Sequence, residues 1–243
     1  MSTNGRTEGE LDQNTSRDAA KDAVIDAALA HVPFDGWSAA SLAAATADSG
    51  VAAGLVTALF PRGAVDLALA YHFRGDALMR DRFAAEDHNG LRYSEKVARA
   101  VRLRLEAASD KEAVRRGTTF FALPQHAADG AKAIWGTADA IWQALGDTST
   151  DLNWYTKRAT LSAVYASTVL FWLGDDSLGH QATWDFLDRR IENVMQIEKL
   201  KSQVRDNPLA KAFANGPGRW FDKIKAPTMP TDLPGSFMDR FRR

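Results

Sequence analysis

Apolar side chains recur along this chain at steps of three and four, the period of a helix with one buried face. The clearest stripe is Trp184, Leu187, Ile191, Val194, Ile197, Leu200 and Val204, with Asp188, Arg189, Arg190 and Glu192 opposite. Gly, Pro and Asp gather at the breaks between stripes, and alternating β-branched runs are scarce. The pattern predicts an all-α fold. Helices are expected over 17–31, 38–47, 51–58, 63–84, 93–108, 110–122, 124–145, 153–173, 179–205 and 208–223. They group into a small three-helix segment over 17–62 and a bundle over 63–205. A polar disordered tail over 1–16 precedes them, and a Gly- and Pro-punctuated segment over 206–243 follows.

Composition narrows the classes. The 243 residues are 45% hydrophobic and 25% charged, with a net charge of -1, which suits a globular chain and gives no global attraction to nucleic acid. Cysteine is absent, which excludes disulfides, thiolate nucleophiles, Cys-ligated zinc and iron–sulfur clusters. The opening MSTNGRTEGELDQNTS has neither a signal-peptide core nor transit-peptide character, so a cytoplasmic start is expected. The most apolar window, 159–173, carries Thr160, Ser162, Tyr165, Ser167 and Thr168 and falls short of the ~20 residues of a membrane span. It reads as a buried helix.

"AVIDAALAHVPFDGWSAASLAAATADSGVAAGLVTALFPRGAVDLALAY" sets out three short helices leading into a longer one, with a tight turn at Ser49-Gly50. The stretch resembles the N-terminal domain of TetR-type regulators. Its expected core is Ile25, Leu29, Leu42, Val51, Leu55 and Leu59, with Gly50 free to take a positive φ. A recognition helix needs side chains that reach bases and phosphates. In "VAAGLVTALF" Thr57 is the only polar side chain, and from Arg17 to Phe83 six Lys and Arg face eight Asp, a net of -2. A TetR-like helical bundle that does not bind nucleic acid is expected. The alternative is a ligand-responsive TetR-type transcription regulator that binds DNA.

Catalytic signatures are missing. Histidines 31, 72, 88, 126 and 180 are scattered without metal-ligand spacing, and no phosphate loop or nucleophile elbow occurs. No catalytic residue, metal or cofactor is assigned, and a binding role is expected.

The segment "TDLNWYTKRATLSAVYASTVLFWL" concentrates the remaining signal. Asp151 or Asn153 can cap its helix. Trp154, Arg158, Leu161, Tyr165, Thr168 and Trp172 then fall on one stripe, beside small residues Ala159, Ser162, Ala163, Ala166 and Ser167. With Phe120, Phe121, Trp135, Trp142 and Phe171, the stripe is either plain core or the wall of an apolar volume. Trp154 and Tyr155 beside Lys157 and Arg158 are either an interface-like cluster or a packed Trp under snorkelling cations.

"STDLNWYTKRATLSAVYASTVLFWLGDDS" followed by "TWDFLDRRIENVMQIEK" resembles the ninth coenzyme Q (ubiquinone) biosynthesis protein family, whose layout the chain follows from about 17 to 205. The resemblance implies a TetR-like-fold, non-catalytic, homodimeric accessory protein. It implies an apolar cavity for ubiquinone intermediates or phospholipids, here carried by Phe120, Phe121, Trp135, Trp142, Leu161, Tyr165 and Trp172. It also implies a docking surface for the di-iron demethoxyubiquinone hydroxylase at Asp139, Asp151, Trp154, Tyr155 and Arg158. Ile141 and Lys132 fall at further positions of that patch.

From Lys199 to Arg243 ten cations against four Asp leave +6, interleaved with Leu209, Phe213, Trp220, Phe221 and Ile224. That mixture suits an anionic membrane surface, to which each nearby cation contributes roughly 1 kcal/mol. Phe213, Arg219, Trp220, Phe221, Lys223 and Lys225 are the expected contacts, on the cytoplasmic face of an inner membrane.

Overall fold

The computed structural model describes residues 8–149 and 152–206. All regular structure among them is helical, as the periodicity predicts: α1 (Glu8–Leu29), α2 (Val32–Asp35), α3 (Ala39–Asp48), α4 (Ala53–Leu59), α5 (Ala64–Ala85), α6 (Tyr93–Glu106), α7 (Lys111–Ala122), α8 (Ala127–Ala144), α9 (Leu152–Leu173) and α10 (Gln181–Asp206). The helix expected over 208–223 and the membrane contacts Phe213, Arg219, Trp220, Phe221, Lys223 and Lys225 lie outside the described residues. So do residues 1–7 of the expected tail. Helix α1 begins at Glu8 rather than 17.

The chain forms two compact units. One holds the residues up to Arg74 with Ser109–Gly130; the other holds Gly75–Ala108 and the residues from Ala131 onward.

In the first unit α1 packs against α3 and α4. Val24, Ile25, Ala28, Val32, Trp37, Ala45, Val56, Leu59, Phe60 and Leu67 form its core. The Trp37 indole donates to the Ala113 carbonyl at 3.1 Å and ties α7 to that core. Helix α3 starts with a reciprocal cap: Ser38 Oγ accepts from the Ser41 amide and Ser41 Oγ from the Ser38 amide. Gly50, at φ +68, supplies the turn into α4. One expected core residue is misplaced. Leu55 is exposed and Val56 is buried instead, because α4 starts at Ala53 and its phase turns Val56 and Leu59 inward.

In the second unit α10 packs on α9 and α6. Trp184, Leu187 and Ile191 are buried. A buried ion pair crosses the core: Arg104 Nε donates to Asp76 Oδ1 at 2.5 Å, and the Thr137 hydroxyl donates to the same oxygen at 2.8 Å. Gly75 makes room for it, since a Cβ there would lie 2.6 Å from Arg104 Nη1. Before α10, Asp175 accepts from the Ser177 amide (2.8 Å), the Thr183 amide (2.9 Å) and the Thr183 hydroxyl (2.5 Å). These bonds from Ser177 and Thr183 hold the Asp175 carboxyl far below the usual carboxylate range. Gly179 and His180 both take left-handed φ in this turn, and the Trp184 indole donates to the Gly179 carbonyl at 2.8 Å.

Candidate functional site

The start of α9 lies beside α8 in the second unit, and charge decides the arrangement. Arg158 and Lys157 follow one another on α9, and the acids that meet them come from α8 and the α8–α9 loop. Arg158 Nε donates to Asp139 Oδ1 at 2.6 Å, and its Nη1 reaches Asp147 Oδ2 at 3.3 Å and the Trp154 carbonyl at 3.2 Å. Lys157 Nζ donates to Asp147 Oδ1 at 2.7 Å and to Ser149 Oγ at 2.8 Å. Burial disfavours charge on Asp147, but hydrogen bonds from Lys157 and Ser149 outweigh it, and its carboxyl sits below the usual range. Gln143 donates to the second oxygen of Asp139 at 2.6 Å.

Aromatic rings cover this charge cluster. The Arg158 guanidinium lies 4.0 Å from the Trp154 ring centre, a cation–π contact. Tyr155 meets Trp154 edge-on at 4.9 Å, and Trp135 lies 6.0 Å away on the other side. Lys157 Nζ sits 5.3 Å from the Trp142 ring centre, and Tyr93, at the start of α6, stacks on Trp142 at 5.9 Å. Burial and then the Asp147 charge push the Tyr93 phenol up.

The expected docking residues therefore divide. Trp154 and Tyr155 are half-buried and present ring surface, whereas Arg158 and Asp139 are only 2% and 8% exposed. Asp139 and Arg158 meet each other beneath the rings rather than offering charge to solvent. Asp151 lies outside the described residues. Ile141 is fully buried, so it is not a patch residue: α8 turns it into the core. Lys132 is exposed on α8. Asp147 is the member that sequence reasoning missed. The only signal for it was the pair of adjacent cations, which calls for acids in the preceding loop.

The expected apolar wall also divides. Trp142, Leu161, Tyr165 and Trp172 are buried in the second unit, and Trp135 is half-buried beside Trp154. Phe120 and Phe121 belong to the first unit, where Phe120 stacks on His126 at 4.2 Å. The small-residue side of α9 is split, with Ser162, Ala166 and Ser167 half-buried. Ala159 and Ala163 are exposed, and beyond them so are Leu170 (61%) and Phe171 (38%), with Phe171 stacked on Phe186 at 4.5 Å.

In the first unit a groove of about 460 Å³ lies between α3 and α4, lined by Leu42, Thr46, Ala53, Val56, Thr57 and Phe60 among others. Both threonine hydroxyls donate to their own helix, Thr46 to Leu42 and Thr57 to Ala53. The exposed face of α4 is Ala53, Gly54, Leu55, Thr57 and Ala58. Arg62, which follows, is engaged by Asp66 and Asp129. This face offers phosphate and bases almost nothing. Among the described residues no three His, Asp or Glu side chains converge as metal ligands, and no single helix is long and apolar enough to cross a membrane.

Residues 127–198, which contain the charge cluster and the rings of Trp135, Trp142, Trp154 and Tyr155, match the COQ9 family. Mitochondrial ubiquinone biosynthesis protein COQ9 of Drosophila melanogaster is 33% identical over 194 residues, covering 77% of this chain and 59% of that protein. COQ9-B of Xenopus laevis is 32% identical over 207 residues, covering 80% and 69%. The human protein is 29% identical over 192 residues, covering 75% and 59%. The chain thus spans about three fifths of the length of the first of these relatives. Among solved structures, a TetR transcriptional regulator from Nitrosomonas europaea ATCC 19718 superposes with a TM-score of 0.57 at 22% identity, covering 72% of this chain and 97% of that one. The fold is TetR-like and all-α.

Proposed function

The chain belongs to the COQ9 family, and from that premise we propose that it is a non-catalytic, lipid-binding accessory protein of ubiquinone biosynthesis. In this reading the apolar interior around Trp142, Leu161, Tyr165 and Trp172 takes a quinone intermediate or phospholipid, with its tail against Leu161, Tyr165 and Trp172. The patch of Trp154 and Tyr155 docks the di-iron demethoxyubiquinone hydroxylase, to which the lipid is presented. The basic segment with Phe213, Arg219, Trp220, Phe221, Lys223 and Lys225 rests on the membrane, on the cytoplasmic face of an inner membrane. A second copy covers the outward face of α9, where Leu170 and Phe171 are exposed.

One observation carries the docking assignment. Two half-exposed aromatic rings stand on a buried Arg158–Asp139–Asp147 cluster that fixes their position. Rigid aromatic anchors of this kind lose little freedom on binding and dominate interface energies. The DNA-binding alternative has no comparable support, since α4 carries no cation and its Thr57 hydroxyl is turned to the backbone.

The test is association of the purified chain with the hydroxylase. Replacing Trp154 and Tyr155 together by Ala should weaken it about tenfold or more, with helical content and bound lipid kept and the melting temperature lowered by only a few degrees. Unchanged association rejects the patch. Unfolding of the variant shows that the rings are core, and the assignment fails with it.

A further inference from the structure

Trp142 departs from two other buried indoles, Trp37 and Trp184. Trp37 Nε1 donates to the Ala113 carbonyl at 3.1 Å and Trp184 Nε1 to the Gly179 carbonyl at 2.8 Å. Trp142 is buried to the same degree, 8% exposed against 4% and 7%, yet its Nε1 has no acceptor among the described residues. An indole N–H is a donor only, and buried donors are almost always paired. An oxygen from outside the chain would complete it.

The surroundings narrow what that oxygen belongs to. Lys157 Nζ lies 5.3 Å from the Trp142 ring, with Arg158 next to it in sequence. Their two positive charges face Asp147 and Asp139, so the cluster is neutral in sum. A carboxylate or phosphate would find no excess positive charge. A neutral carbonyl oxygen finds a free donor without that requirement. Over the ring lies Tyr93, stacked at 5.9 Å with an interplanar angle of 27° and 45% exposed. Its half-exposed ring is the cover that a planar guest would displace or stack beside.

We propose that Trp142, with Tyr93 above it and Lys157 beside it, forms a head-group site for a planar ring bearing a neutral carbonyl oxygen, with the Trp142 indole as the donor. The inference rests on the lipid-binding reading and deepens it: it places the quinone ring, not the tail, at the junction of α6, α8 and α9. The ring then lies on the same charge cluster that underpins Trp154 and Tyr155.

The experiment uses the full chain labelled with nitrogen-15 at its indoles and titrated with a short-tailed ubiquinone. A parallel titration uses the isoprenoid alcohol of the same tail. In the wild type, the quinone should move one indole proton downfield and the alcohol should leave it in place. Trp142→Phe keeps an aromatic ring, smaller than the indole, but lacks the N–H. In that variant the moving signal should be missing and quinone affinity should fall about tenfold further than that of the alcohol. An unmoved Trp142 indole in the wild-type chain means that at most a water sits there and overturns the site. So does a Trp142→Phe chain with wild-type quinone affinity. If the alcohol binds and the quinone gains nothing from its ring, the head-group site falls and the lipid-binding reading stands. If neither binds, both fall.

Discussion

Arg158 and Asp139, nineteen positions apart in sequence, meet at 2.6 Å with the Arg158 side chain 3% exposed. Removing one partner leaves the other charged and buried, which typically costs 3–5 kcal/mol. Arg158→Ala and Asp139→Ala should each destabilise the chain by about 3 kcal/mol. The double variant should lose much less than the sum. Urea unfolding of the four chains checks this; additive losses would mean that the two residues act separately.

Gly75 should tolerate no side chain, contrary to the usual gain from Gly→Ala within a helix. The added Cβ would lie 2.6 Å from Arg104 Nη1, and the guanidinium cannot retreat without leaving Asp76. Gly75→Ala is expected to lower stability by about 1–3 kcal/mol, read as a lower denaturation midpoint at unchanged slope.

Asp175 makes stability depend on acid. Its folded-state carboxyl lies below the ordinary value of 3.8 because Ser177 and Thr183 donate to its charged form. A depressed carboxyl stabilises the fold above its unfolded pKa, and that contribution is lost as pH falls toward the folded value. Melting temperatures of wild type and Asp175→Asn should differ most at neutral pH and converge as pH drops below about 4. A gap that stays constant with pH would remove Asp175 from the account.

Leu170 tests the pairing of copies. Two exposed apolar side chains, Leu170 and Phe171, lie next to the exposed small residues of α9. Light scattering on Leu170→Glu should give the 26.6 kDa of one chain where the wild type gives twice that. A monomeric wild type would contradict the proposed dimer.

Helical periodicity made the fold legible, because the Trp184, Leu187 and Ile191 stripe is long enough to fix its own phase. It misplaced Leu55, since "AGLVTAL" is apolar all round and its orientation depends on where α4 starts. Ile141 failed for a related reason: its neighbours Asp139 and Trp142 are also buried, so no polar side of α8 marked the interior there. The aromatic mouth of α9 was legible from "NWYTKR". That Arg158 and Asp139 neutralise one another beneath it was not, because pairing between two helices leaves no periodic trace. Nor was the unpaired Trp142 indole, which depends on what fails to come near it.

The central claim is that this chain carries a prenylated quinone or phospholipid for another enzyme. Mass spectrometry of lipids extracted from the purified, natively folded protein tests it most directly. The account predicts a stoichiometric isoprenoid quinone or phospholipid, with ubiquinone intermediates taken up from vesicles on incubation. A chain that purifies without lipid and takes up none from such vesicles would contradict it.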